Sequence, residues 1–320
     1  MRRSATDNAS AEVVVVHPLD VEDAAITAAM RAMASSTKGV TRGIEARGQF
    51  DALMESVLPR DDVTFQEDTL GGVPGLWVLP ADRRSDEAIL HLHAGWFNFG
   101  SARAFRHLVG HIAARAGARA FIPDYRLAPE HPFPAATDDV LACYKGLADK
   151  DVYRIALTGD SAGGNLALIL ASRVAGVEAV SNNATLVGVV VLSPVTDLTL
   201  SGASYETRAE ADPFFTRAQV AELVNSYLKT ADPKHPLASP LQARLSGMPP
   251  VRIHVGSDEV LLDDSLRYIE RAFAAGVDAR VDVWTGMPHG FAGGVGRLKA
   301  AARTLDAIGT FLAVRRQASA

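Results

Sequence analysis

A single cysteine, Cys143, stands among the 320 residues, so no disulfide can form within the chain, and the composition fits a reducing compartment. Neither sign of charge is in large excess. The 32 Lys and Arg against 37 Asp and Glu leave a net −5, which offers no footing for nucleic acid or for an anionic membrane surface. Long apolar runs are missing too. No stretch approaches the ~18 residues of a membrane span, and Val13-Val14-Val15-Val16, behind Met1-Arg2-Arg3, is too short for the core of a signal peptide. A cytoplasmic location without stable membrane association is the expectation. No Cys/His cluster points to a metal, no organic cofactor is called for, and no repeat or low-complexity tract interrupts the chain. With 48% hydrophobic and 22% charged residues, the length suits one large globular domain with an appended cap.

What is present is an alternation of strand-like and helical segments. Strands are expected at 63–67, 76–79, 89–93, Ala118–Pro123, 154–158, 188–192, 251–255 and Ala279–Trp284. Helices fall between them, among others at Ala102–Ala116, Ala135–Ala148, 165–173, 265–275 and 298–315. This order implies an α/β fold, a mostly parallel eight-stranded sheet covered on both faces, with its active residues at the carboxyl ends of the strands. The apolar run Leu186-Val187-Gly188-Val189-Val190-Val191-Leu192 reads as a central strand buried on both faces. Two regions break the alternation. Residues 1–55 hold a helical pattern at 21–33 with Asp20 as its N-cap, and residues 200–245 hold another at 216–228. Together they read as a helical cap over a core formed by residues 56–199 and 246–320.

Gly159-Asp160-Ser161-Ala162-Gly163 reads G-x-S-x-G, with a strand-type segment before it and a helix former after it. A strand that turns into a helix this tightly leaves no room for flanking side chains. It holds the serine in a strained backbone with its hydroxyl pointing outward, a geometry that suits a nucleophile. A serine needs a base, a group that orients the base, and donors for the oxyanion. In one known arrangement these follow in chain order as Ser, Asp or Glu, then His. Asp258 lies just past the strand at 251–255, and His289 lies on a Gly/Pro-flanked loop after the strand Ala279–Trp284. Glu259 and Asp263 compete with Asp258 as the acid; Asp258 is preferred as the first past the strand. The oxyanion donors are expected from the backbone N–H groups of Gly95, Trp96 and Ala162, with His93 organising its loop.

These residues resemble those of the hormone-sensitive-lipase-like (bacterial family IV) esterases, α/β-hydrolases. His93-Ala94-Gly95-Trp96 is similar to that family's HGGG box, Gly159 to Gly164 to its GDSAGG box, and Asp124-Tyr125-Arg126-Leu127-Ala128-Pro129-Glu130-His131-Pro132-Phe133-Pro134-Ala135 to its DYRLAPEHPFPA block. Asp258 and His289-Gly290-Phe291 match its acid and base positions. The resemblance runs from about residue 60 to the C-terminus. The segments 193–200 and 236–265 look most like short-chain esterases and ε-lactone hydrolases. The resemblance implies a serine carboxylesterase that acts on short- to medium-chain esters or lactones through an acyl-enzyme and uses no cofactor. One departure is Trp96, where the family has glycine. The N–H survives, because only proline would remove it, but the ring fills a wall that is normally open or else packs under the cap.

The substrate pocket is expected to involve Phe97, Asp160, Phe214, Phe215, Val260, Leu261 and Phe291. The proline-rich block at 124–135 reads as a rigid loop pinned by Arg126 against Asp124 or Glu130, not as a catalytic element. Asp160 has two readings, a prop for the loop that carries His93 or a part of the pocket wall. Related folds also serve as small-molecule receptors that have lost the base, and as dehydratases. The intact Ser161, Asp258 and His289 argue against a receptor, and ester turnover separates a hydrolase from a lyase. The sequence allows a homodimer and does not specify one.

Overall fold

The computed structural model describes residues 13–40, 43–150, 152–176 and 184–317. The opening Met1-Arg2-Arg3, and with it the start of the segment 1–55, lies outside them. Among the described residues nine strands form one sheet: β1 (Val14–His17), β2 (Val63–Leu70), β3 (Val73–Pro80), β4 (Arg84–Leu92), β5 (Ala118–Pro123), β6 (Arg154–Asp160), β7 (Thr185–Leu192), β8 (Val251–Gly256) and β9 (Ala279–Trp284). Their order across the sheet is β1-β9-β8-β7-β6-β4-β5-β3-β2. All pairs are parallel except β2 with β3 and β3 with β5. The expected eight strands are thus nine. The addition is β1, built from the four-valine run, which pairs in parallel with β9 at the sheet edge. Its alternately half-buried and exposed side chains need β9 beside them to become a strand. His17 ends it with its ring stacked on Trp284 at 4.0 Å and its Nε2 2.7 Å from Asp282 Oδ1.

The period of two along each strand builds two cores. On β7, Val189 and Val191 face one side and Val190 and Leu192 the other. The first side is covered by α4 (Ala135–Ala148), α5 (Ala162–Ala175) and α8 (Leu262–Ala274), the second by α3 (Ala102–Ala116) and α9 (Lys299–Gln317). Ser101 caps α3 by accepting from Ala104 N–H at 3.2 Å, and Gly117, at φ 61, closes it in the left-handed region.

The two regions outside the alternation meet each other. Residues 21–58 carry α1 (Val21–Ala34) and α2 (Arg47–Glu55), and the insertion carries α6 (Ser204–Thr207) and α7 (Arg217–Leu228). Gly39 N–H donates to Phe214 O at 2.9 Å, and Lys38 Nζ donates to Ala209 O. Asp20 caps α1, as its position indicated, and Thr216 caps α7. Buried Asp23 of α1 accepts from the N–H groups of Lys299 and Ala300, at 2.8 and 2.9 Å, and so fastens α1 to the positive end of α9. No described helix is long and apolar enough to cross a membrane.

Candidate active site

Four loops at the carboxyl ends of parallel strands converge: 93–101 after β4, the turn at Ser161 after β6, 256–261 after β8 and 285–290 after β9. Ser161 sits between β6 and α5 with φ 55 and ψ −117, a backbone that L-residues seldom adopt. Its own backbone is locked. Ser161 N–H donates to Leu192 O at 2.8 Å, and its carbonyl accepts from Asn165 and Val195, each at 3.1 Å. The neighbouring glycines are sterically required. A Cβ on Gly163 would run into the Leu92 carbonyl, and one on Gly159 would come within 2.5 Å of Gly163 O.

His289 Nδ1 donates to Glu259 Oε2 at 2.8 Å. The other oxygen of Glu259 accepts from Ser193 Oγ at 2.8 Å and from Gly256 N–H at 2.6 Å. Glu259 is fully buried with these donors around it, which keeps a carboxylate tolerable there. Burial presses the His289 pKa down, but the hydrogen bond and charge of Glu259, with Asp212 and Asp160 nearby, outweigh it, and the pKa stands above the ordinary histidine value.

Asp258, the sequence's choice of acid, faces elsewhere. One oxygen accepts from Ser257 Oγ at 2.7 Å and the other pairs with Arg31 of α1. Arg31 also donates to Gly286 O at 3.1 Å, so a single guanidinium spans the loops after β8 and β9. The turn at Gly256 sends Asp258 outward and returns Glu259 to the strand end. Asp263, the third candidate, accepts from Ser204 N–H at 2.9 Å.

The loop after β4 presents the N–H groups of Gly95 and Trp96, and Ala162 offers the first N–H of α5. Among the described residues no acceptor takes up these three donors. Positive φ values at Gly95 (126), Trp96 (50) and Phe97 (62) turn the backbone inward. Asn98 holds the turn by donating to Trp96 O at 2.6 Å and to Leu223 O of α7 at 3.1 Å. Arg47 of α2 donates to Asn98 O at 2.8 Å and pairs with Glu130 at 2.7 Å. His93 is buried, stacks on Tyr125 at 4.2 Å, and bonds Ala94 O through Nδ1 at 2.9 Å. Burial pushes its pKa down to about 4, so it is a neutral organiser of the loop at physiological pH.

Of the expected pocket residues, Phe215 stands at the site. Its ring packs edge-on against His289 at 5.0 Å and against Trp96 at 5.6 Å. Trp96 is only 3% exposed and belongs to the packing under the cap. Phe214 is half-buried beside Phe215. The remaining assignments are corrected by packing. Phe97 is buried in a stack on Tyr227 at 3.9 Å, Phe291 is buried against Trp284, and Val260 and Leu261 lie wholly inside the core. These four are walls behind the site, because large apolar side chains on rigid loops are drawn into the core first. Asp160 Oδ1 lies 3.3 Å from His91 Nε2, which supports the strand under the His93 loop. Arg126 pairs with Asp139 at 2.7 Å, not with Asp124 or Glu130. Asp124 instead receives Ala102 N–H at the start of α3, at 2.6 Å. Arg31 and Asp212 belong to no motif, and Ser193, although it opens the segment 193–200, carries no mark along the chain of its bond to Glu259. Among the described residues no cluster of His, Cys, Asp and Glu is disposed to hold a metal ion.

Known proteins share this fold. A family model described as alpha/beta hydrolase fold matches residues 89–293. An acetyl-hydrolase of Streptomyces hygroscopicus is 38% identical over 225 residues, 69% of this chain and 73% of its own. An esterase of Acinetobacter venetianus is 35% identical over 228 residues, again 69% and 73%. Among solved structures, an esterase from the bacterial hormone-sensitive lipase family superposes with a TM-score of 0.85 at 35% identity, over 93% of this chain and 99% of that one. The esterase EstE5, soaked with p-nitrophenyl butyrate, gives 0.84 at 33% identity with the same coverage.

Proposed function

The chain belongs to the alpha/beta hydrolase fold family, as a serine carboxylesterase of the hormone-sensitive-lipase type, and we propose on that basis how its residues divide the reaction. Ser161 Oγ attacks the ester carbonyl. His289 takes the serine proton and returns it to the leaving alcohol. Glu259 fixes the His289 tautomer and stabilises the imidazolium. The N–H groups of Gly95, Trp96 and Ala162 receive the oxyanion, aided by the positive end of α5. Water activated by His289 then releases the acid from the acyl-enzyme. The observation that carries this reading is the locked left-handed backbone of Ser161 between two glycines that admit no Cβ.

Substrates in this proposal are small esters or lactones with short to medium acyl chains. The names of the relatives support it, an acetyl-hydrolase and an esterase soaked with a butyrate ester. So does the Phe215 ring, which packs against both His289 and Trp96. The helices α1 and α2 and the segment 200–245 act as a cap on the core, while β1 of the opening segment belongs to the sheet, a reading supported by the bonds of Asn98, Arg47 and Arg31 across the boundary. A cytoplasmic location, consistent with the buried free thiol of Cys143, belongs to the same proposal. The test is hydrolysis of aryl esters of graded acyl length and of lactones, with Ser161→Ala beside the wild type. Loss of turnover on the order of 10⁴-fold or more with an unchanged fold is expected. A variant that keeps a tenth of the activity would sink the serine mechanism.

A further inference from the structure

Asp212 lies in the insertion just ahead of α7 and is fully buried. Nothing in its sequence surroundings marks it, and the mechanism above does not use it. Its Oδ1 accepts from Phe214 N–H at 2.8 Å and from Phe215 N–H at 2.9 Å. Its Oδ2 accepts from Val260 N–H at 2.9 Å. Phe215 is the cap residue whose ring leans on His289, and Val260 follows the acid Glu259 directly. One carboxylate therefore ties the cap turn to the acid loop, with the base between the two. A buried carboxylate satisfied by backbone N–H groups on both sides is costly to place and hard to replace by a neutral group.

We infer that Asp212 is a positioning residue for ester hydrolysis, which fastens Phe215 and Val260 to one anchor and adds negative charge beside His289. The inference rests on the role given to His289 above. Three carboxylates then favour the charged form of that imidazole: Glu259 from the loop after β8 through a hydrogen bond, and Asp212 from the cap and Asp160 from the end of β6 through charge alone. Glu259 holds it by a hydrogen bond; Asp212 acts on it through the field and through the seat of Phe215. An asparagine in this place offers one carbonyl oxygen and turns an N–H₂ toward a backbone donor, so one side of the tie is lost.

The experiment compares kcat, KM and the pH profile of p-nitrophenyl butyrate hydrolysis for wild type and Asp212→Asn, with melting temperature measured on the same samples. In Asp212→Asn, kcat is expected to fall roughly tenfold with KM little changed, because the lost interaction acts on the base and not on substrate binding. The acid limb should move to lower pH by about half a unit to one unit, the direction set by removing a negative charge beside an imidazolium. A folded variant whose acid limb keeps the wild-type position overturns the inference, whatever its melting temperature, since a strut would cost stability and leave the base alone. Failure of the underlying mechanism looks different: His289→Asn would then keep activity, and wild type would lack the limb. Should Asp212→Asn and Asp212→Ser both fail to fold, hydrogen exchange in the wild type decides. The amides of Phe214, Phe215 and Val260 are expected to open together, and independent opening of Val260 overturns the tie.

Discussion

Glu259 and His289 share a 2.8 Å hydrogen bond, while Asp258, one residue earlier, pairs with Arg31 on the opposite side of the same loop. Adjacent carboxylates thus serve different ends. Glu259→Gln is expected to lower kcat on the order of 10³- to 10⁴-fold, the scale for loss of an orienting acid. Asp258→Ala should keep kcat within about tenfold and lower the melting temperature by a few degrees, a modest figure because the ion pair is partly exposed. Steady-state kinetics on the two variants would reverse the assignment if Asp258→Ala proved the dead one.

Activity should depend on neutral His289. Its pKa is raised above the ordinary value of about 6.5, so kcat/KM is expected to fall as pH drops through a point above that value. In stability the sign is opposite to the kinetic one. The protonated form is favoured in the fold, so this contribution is full below about pH 6.5 and is lost as pH rises through the folded pKa. A pH–rate profile from pH 5 to 9 checks the kinetic half, and a flat profile would mean another base.

His93 and His254 titrate the other way. Burial presses both pKa values down to about 4. Their unfolded forms take protons that the folded forms refuse. Their contribution is therefore full above about pH 6.5 and is lost as pH falls from there toward 4. Denaturant midpoints are expected to drop across that window, and a midpoint constant from pH 7 to 4.5 would contradict the burial of these rings.

Ser161 stores strain. At φ 55 and ψ −117 a glycine is at ease and a serine is not. Ser161→Gly is expected to be inactive yet more stable than wild type by about 1–2 kcal/mol, against no such gain for Ser161→Ala. Parallel thermal melts of the three proteins measure it.

Trp96 is packed, not open to the solvent side of the site. Trp96→Gly removes a 3%-exposed ring and its contact with Phe215. Truncation costs about 3–5 kcal/mol, less about 1 kcal/mol regained by glycine at φ 50. The melting temperature should fall clearly while small esters are still turned over, since the N–H remains. An unchanged melting temperature would show that the ring serves the pocket alone.

Much of this was legible in the sequence because it is local. The nucleophile turn, the loop of Gly95 and Trp96, and the position of His289 each follow from a strand end and a few small residues. The expected helices Ala102–Ala116 and Ala135–Ala148 agree with the structure to the residue. What escaped depends on partners far away in the chain. The choice between Asp258 and Glu259 turns on Arg31, which is 227 residues from Asp258. The strand at Val14–His17 exists only against β9. The helix Arg47–Glu55 buries none of its residues fully, so its pattern carries little apolar signal. Arg126 found Asp139 because helix α4 brings it near, which no count along the chain indicates.

The grip of Arg31 on Asp258 and on the Gly286 carbonyl bears on how this enzyme can be recombined with its relatives. A chimera cut ahead of β2 would inherit Ser161, Glu259 and His289 from one parent and take the arginine's place from another. Every reacting atom would be present, with the loops that aim two of them left untethered. The opening helix and the acid loop are therefore a single unit of exchange, and a donor sequence should be chosen for both together or for neither.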